Sequence, residues 1–249
     1  MSSLFIEHLL TIGEASASWA CRPAFGSRSA SWREVMSGES LEACANLLEM
    51  APRGWARRLD SVTVLLGFPH TRYALLQWQD GLYSVADWTA YAQALFAEQY
   101  EVTHMEPWLI AVEQAGYGAP RIAVAMDREL LGDLRTLFRT HHLRFLNCMP
   151  IMMAAARYGW KRLPADCVLA VPEAHAIHCL YRRAGQWTGI CSLRTTGADV
   201  SADLSMASML LGQSASSAWI ADDSESVQGQ DRIPMHWLGR GFLWYPEVA

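Results

Sequence analysis

The chain has 249 residues, 51% of them hydrophobic, and a formal net charge of −5 at pH 7. That length supports one large core or two smaller ones, and the mild acidity gives no general attraction to nucleic acid or anionic lipid. No apolar run approaches the ~20 residues a membrane span needs, so a soluble cytoplasmic chain without direct membrane insertion is expected.

In chain order, Leu4–Leu10 and Ala15–Cys21 read as two strands, followed by a turn over Ser27–Ser31. Leu41, Cys44, Ala45, Leu47 and Leu48 recur at helical spacing, which predicts a helix over Glu39–Met50 with Ser37 as its cap and Pro52-Arg53-Gly54 as its stop. Ser61–Leu66 is an apolar strand, Thr71–Trp78 another beyond Gly67-Phe68-Pro69, and Asp80-Gly81 a turn. Ser84-Val85-Ala86-Asp87 has capping-box spacing and opens a helix with Val85, Trp88, Ala92, Leu95 and Phe96 on one face. Trp108–Glu113 reads as a strand.

The stretch from Pro120 to Arg194 carries the most information. Arg121–Met126 is an apolar strand, and Asp127 can cap a helix whose Leu130, Leu131, Leu134, Leu137 and Phe138 make one stripe, closed by His141-His142. Leu143–Cys148 is a strand ended by Pro150, and Ile151–Tyr158 a helix that stops at Gly159. With a helix between them, Arg121–Met126 and Leu143–Asn147 are expected to be neighbouring, buried and parallel. Cys167–Val171, Ala176–Tyr181 and Trp187–Leu193 then form a strand-turn-strand unit, with Arg183-Ala184-Gly185 as a hairpin turn. Beyond it come a loop at Thr195–Val200, a helix at Ala202–Leu211, a strand at Ala218–Ala221 and an exposed acidic loop at Asp222–Asp231. The order predicts two similar α/β lobes, distant structural duplicates, each on a mixed sheet that begins as an antiparallel meander.

Six cysteines (Cys21, Cys44, Cys148, Cys167, Cys179, Cys191) lie far apart without CxxC spacing, which reads as buried reduced thiols. Eleven tryptophans and 11 methionines serve cores and interfaces alike, and the cluster Trp237, Phe242, Leu243, Trp244 and Tyr245 either docks onto the body or meets a partner. His175 and His178 point to opposite faces of one strand beside Cys179, so a metal would need a ligand from elsewhere. Glu7, Glu173 and Asp222 make a conceivable acid set for metal-dependent hydrolysis, set against a solvated acidic loop at Asp222-Asp223. Arg53, Arg57 and Arg58, and Arg182-Arg183 at a hairpin tip, read as solvated turns or as docking points for an acidic segment. GxSxG, GxxxxGK[ST] and GxGxxG are absent. No catalytic, cofactor-binding or metal-ligating residue is assigned.

From Ser61 to Leu193 the order of elements resembles the actin-like proteins of the PilM type in type IV pilus assembly and the cytoplasmic domain of GspL in type II secretion. The residues that carry the resemblance are Val62–Pro69, Tyr73–Trp78, Ala97-Glu98-Gln99-Tyr100, Arg121–Met126 and Asn147-Cys148-Met149-Pro150. It implies an α/β, actin-like fold of two ribonuclease H-like lobes with mixed sheets: residues 1–163 with an inserted subdomain at about 80–120, and residues 164–249 as a truncated second lobe. Nucleotide-binding members carry an Asp-x-Gly turn at the start of the second lobe, where this chain has Val171-Pro172-Glu173-Ala174. Proline removes an amide donor and fixes φ, so weak or no ATP binding and no hydrolysis are expected, and no cofactor. The resemblance implies a non-enzymatic scaffold at the inner membrane that holds the short cytoplasmic tail of a single-span assembly protein; a homodimer is left open. The alternatives are an active or degenerate actin-like ATPase and a ribonuclease H-like metal-dependent hydrolase.

Overall fold

Strand β1 (Ile6–Ile12) lies at the middle of the first sheet, and its mostly buried residues fit a strand covered on both sides. The computed structural model describes residues 4–24, 30–100, 107–195, 199–222 and 233–239. Antiparallel to β1 runs β2 (Ser16–Pro23), and β3 (Trp32–Ser37) continues the meander. On the other side β4 (Ser61–Leu66), all six of its residues buried, pairs in parallel with β1 and then with β8 (Arg144–Pro150). The order is β3-β2-β1-β4-β8.

A second sheet repeats this plan. β9 (Cys167–Pro172), β10 (Ala176–Arg183) and β11 (Gln186–Arg194) form the antiparallel meander, and β12 (Ala218–Ile220) and β13 (Met235–Trp237) add in parallel, giving β11-β10-β9-β12-β13. Two mixed sheets of one topology are therefore the frame of two lobes. A third sheet, β5-β7-β6, is wholly antiparallel and joins β5 (Thr71–Leu76), β7 (Arg121–Asp127) and β6 (Trp108–Val112).

Helices cover these sheets with the faces their spacing predicts. α2 (Val85–Gln99) starts at the Ser84/Asp87 capping box and lays Trp88, Ala92 and Phe96 on the third sheet, while Val85 stays exposed. α3 (Arg128–Thr140) is capped by Asp127, whose side chain accepts the Leu130 N–H at 3.0 Å, and it buries Leu130, Leu131, Leu134 and Phe138. Each such side chain contributes about 1.5–3 kcal/mol on burial. α1 (Ser40–Met50) and α4 (Ile151–Gly159) belong to the same continuous core, which runs from the first sheet to Leu169 and Val171 of β9. α5 (Val200–Leu211) covers the second sheet and ends at Gly212, where φ of 60° suits glycine.

Several expectations need correction. Arg121–Met126 and Leu143–Asn147 are not neighbours: both edges of β7 are taken by β5 and β6, so α3 carries the chain out of the third sheet and β8 pairs with β4 instead. β8 is an edge strand among the described residues, with Arg144, Leu146 and Asn147 exposed, not a buried one. Ser37 does not cap α1; the N-cap is Glu39, without a side-chain hydrogen bond among the described residues. His175 lies in the turn before β10, not on the strand with His178, and β3 and β13 are strands beyond those expected. Trp237 packs partly against the core of the second lobe, whereas Phe242–Tyr245, residues 27–29 of the expected turn, and residues 223–231 of the acidic loop lie outside the described residues.

Candidate functional site

Three turns meet where the two lobes face each other. Ile12 of β1 is followed by Gly13-Glu14-Ala15, β4 by Gly67-Phe68-Pro69-His70, and β9 by Glu173-Ala174-His175. The Glu173 N–H donates to the Ala176 carbonyl at 2.7 Å, which fixes the third turn and sends the side chain across to the first lobe. There both carboxylate oxygens accept the Phe68 N–H, at 3.0 and 3.2 Å. Oε1 also lies 2.6 Å from Nε2 of His178, a fully buried residue of β10 whose Nδ1 is 2.7 Å from the Ser192 hydroxyl. With Nε2–H donating to the carboxylate, Ser192 donates to Nδ1, and the ring is held at both nitrogens.

Gly67 is required by this arrangement. A Cβ there would stand 2.0 Å from Glu173 Oε2 and 2.7 Å from its Cδ, so any side chain would evict the carboxylate. Tyr73 of β5 meets the His178 ring edge-on at 5.0 Å, and its buried phenol is pushed well above the ordinary range. Arg194 of β11 spans the same gap further out: it pairs with Glu14 and lies 5.2 Å from the centre of the Phe68 ring. Beside this pair a cavity of about 400 Å³ is lined by Glu14, Ala15, His175, Arg194 and Thr195.

A serine, a histidine and an aspartate also come together here. Ser40 Oγ is 3.0 Å from His70 Nε2 and His70 Nδ1 is 3.8 Å from Asp127 Oδ2, with burial lowering the imidazole pKa. The outer distance exceeds a hydrogen bond, while Asp127 caps α3 through its other oxygen, Oδ1. At that distance the carboxylate is not hydrogen-bonded to the ring. What the set does is tie the starts of α1, β5 and α3.

A different kind of surface lies beside α4. Met149, Met153, Ala156 and Trp160, with Trp187 from β11, line an apolar groove of about 440 Å³ whose rim carries Arg157, Lys161 and Glu113. Arg182 braces it from behind: its guanidinium stacks 4.5 Å from the Trp160 ring and 5.6 Å from Trp187 while donating to the Leu163 carbonyl at 2.8 Å. Trp160 remains 48% exposed, so its position is held without being covered.

The other sequence candidates separate. Glu7 pairs with Arg22 at 3.0 Å, Glu173 is held in the cleft, and Asp222 follows β12; the three are not brought together. Among the described residues no group of three or more His, Cys, Asp and Glu is placed to hold a metal. Arg53 is not a solvated turn residue but the partner of buried Asp60 at 2.8 Å, and Arg182 is the stacking residue above; Arg57 and Arg58 are exposed. Burial pushes the Cys44 and Cys148 thiols up to about 12, which makes them poor nucleophiles. The Glu173–Phe68 contact and the groove joined residues too distant in sequence for spacing to reveal; the departure at Pro172-Glu173 was the one signal.

No protein-family model and no curated protein matches the sequence. Solved structures do. The cytoplasmic domain of EpsL, an inner-membrane component of the type II secretion system of Vibrio cholerae, matches with a TM-score of 0.64 at 14% identity over 96% of this chain and 92% of that one. A Bacteroides thetaiotaomicron protein of actin-like ATPase fold and unknown function matches at 0.58 and 12% identity over 90% and 84%. The PilM-PilN type IV pilus biogenesis complex matches at 0.51 and 14% identity over 80% of this chain and 65% of that one. An actin-like ATPase fold implies a nucleotide in the cleft, and the residues here do not fit one. The Glu173 carboxylate fills the space beside Gly67, and Pro172 has no amide to offer phosphate. The chain is PilM- and GspL-like in fold: actin-like α/β, two ribonuclease H-like lobes on mixed sheets.

Proposed function

We propose that this chain is a non-catalytic scaffold of an inner-membrane assembly platform of the type IV pilus or type II secretion kind, and that it holds the short cytoplasmic tail of a single-span membrane partner. The observation that carries this reading is the groove of Met149, Met153, Ala156, Trp160 and Trp187, an apolar recess whose rim carries two cations, Arg157 and Lys161, and one carboxylate, Glu113. It suits an extended segment with an apolar anchor flanked by a carboxylate. Met149 belongs to β8, whose outer edge pairs with no strand among the described residues, so main-chain hydrogen bonds are on offer beside the pocket. The similar PilM-PilN structure is a complex of two pilus biogenesis proteins, and the similar EpsL domain is part of an inner-membrane component; both support the same assignment here.

In this reading residues 1–163 form the first lobe, with an inserted subdomain at about 80–120, and residues 164–249 the second. The chain is cytoplasmic and peripheral to the inner membrane through its partner; no helix among the described residues is long and apolar enough to cross a membrane. The test takes the cytoplasmic tail peptide of a single-span inner-membrane protein identified by gene neighbourhood or co-purification, titrates it into the chain and follows tryptophan fluorescence. Saturable binding that falls at least tenfold in Met153→Asp supports the scaffold, and no binding of that tail to the native chain refutes it.

A further inference from the structure

We propose that the cleft between the lobes is an anion-binding cradle occupied by the chain's own Glu173 carboxylate, and that this side chain holds the lobes together without a ligand. The cradle has contributions from both lobes. The Phe68 N–H comes from the first, at 3.0 and 3.2 Å from the two oxygens, and His178 Nε2 from the second, at 2.6 Å. Gly67 leaves room that a Cβ would take, 2.0 Å from Oε2, and His178 is fully buried, so the donors face the carboxylate and not solvent. A backbone amide, a buried imidazole and an open glycine are also what a tetrahedral oxyanion uses.

Tethering makes the occupant win. Glu173 stands on a turn fixed by its own N–H to the Ala176 carbonyl, so the carboxylate is presented at an effective concentration that millimolar free anions do not match. Arg194 then adds a second bond across the same gap by pairing with Glu14. The native chain therefore fills the cradle with its own carboxylate, and shortening that side chain uncovers a site for a phosphate-class anion. This inference does not depend on tail docking.

The experiment compares the native chain, Glu173→Ala and Glu173→Gln in sodium phosphate against sodium chloride of equal ionic strength. Melting temperature and hydrogen exchange across Gly67–His70 are the readouts. Glu173→Ala is expected to melt lower than the native chain in chloride and to recover several degrees with saturable, millimolar phosphate, while the native chain shifts by no more than a nonspecific salt effect. Exchange at Phe68 is expected to rise at least tenfold in Glu173→Ala and to fall again with phosphate. Glu173→Gln, whose amide still fills the cradle and can accept the Phe68 N–H but carries no charge, is expected to melt lower than the native chain and to show no phosphate recovery beyond the salt effect, a readout that serves if the alanine variant does not fold. Equal phosphate shifts in the native and alanine chains, or a Glu173→Gln chain that melts with the native one, overturns the proposal.

Discussion

Gly67→Ala tests the cleft by steric means alone. The three atoms nearest a Cβ at position 67 all belong to Glu173, at 2.0, 2.7 and 2.8 Å, and Gly67 does not need a positive φ, so the backbone itself accepts alanine. The methyl group must displace the carboxylate, which breaks its bonds to the Phe68 N–H and to His178. Charge-assisted bonds of this kind contribute about 1.5–3 kcal/mol each, and with part of the site open to water a total loss of about 2–3 kcal/mol is expected. For a chain of this size that is a fall of roughly 4–12 °C in melting temperature. Glu173→Ala removes the same bonds and should cost a similar amount. The double variant then loses nothing further, because the methyl group meets an empty space, and the coupling in a denaturant-unfolding cycle equals nearly the whole cost of either change. Additive losses would refute the reasoning, since Gly67 would then be needed for something other than the carboxylate.

Asp60→Ala should be among the most damaging single changes, at about 3–5 kcal/mol, because it leaves Arg53 without its buried partner; it also orphans the N–H groups of Ile6 and Gly54, which the carboxylate accepts at 2.8 and 3.1 Å. Urea unfolding measures it, and a loss under about 1 kcal/mol would contradict the burial argument. His8 is buried with Nδ1 accepting the Trp19 indole N–H at 3.0 Å, and desolvation pushes its pKa down to about 4. The unfolded state takes up the proton first as pH falls from 6.5 toward 4, so stability is full above that window and declines through it, by about 3 kcal/mol at most from this group. His8→Phe should remove that part of the slope, and parallel pH curves for the two proteins would exclude it. Magnesium-ATP up to millimolar concentration should bind weakly or not at all and release no phosphate with the native chain; micromolar affinity by calorimetry would contradict this and mean that amides other than those near Pro172 supply a cradle.

Where local chemistry decides an element, the sequence was readable. The α3 stripe ending at Phe138, the Ser84/Asp87 capping box and the hairpin at Arg183-Ala184-Gly185 follow from spacing and turn preference, and each stands where it was expected. Sheet partnership was not local. A strand, a helix and a strand in succession favour a parallel pair, but β7 is already satisfied on both edges by β5 and β6, a fact set by strands 50 residues upstream as well as nearby. β3 escaped because Trp32–Ser37 is mostly exposed and has no clean alternation, and β13 because three residues carry too little pattern. The departure at Pro172-Glu173 is visible in the sequence, whereas the donor to that carboxylate, the Phe68 N–H, is a backbone group 105 residues away that no side-chain motif announces. The groove is similar: Met149, Trp160 and Trp187 come from β8, the end of α4 and β11, and in sequence they were three among many methionines and tryptophans.

The groove beside α4 is proposed to capture a partner's tail. A calorimetric titration tests this capture most directly: the cytoplasmic tail peptide of a single-span inner-membrane protein identified by gene neighbourhood or co-purification is added to the native chain and to Trp160→Ala, whose side chain is half exposed. One-to-one binding to the native chain is expected, weakened at least tenfold in the variant with the melting temperature lowered by no more than the few degrees that loss of the Arg182 stacking contributes. Equal affinity for both proteins, or no heat with either, would contradict it.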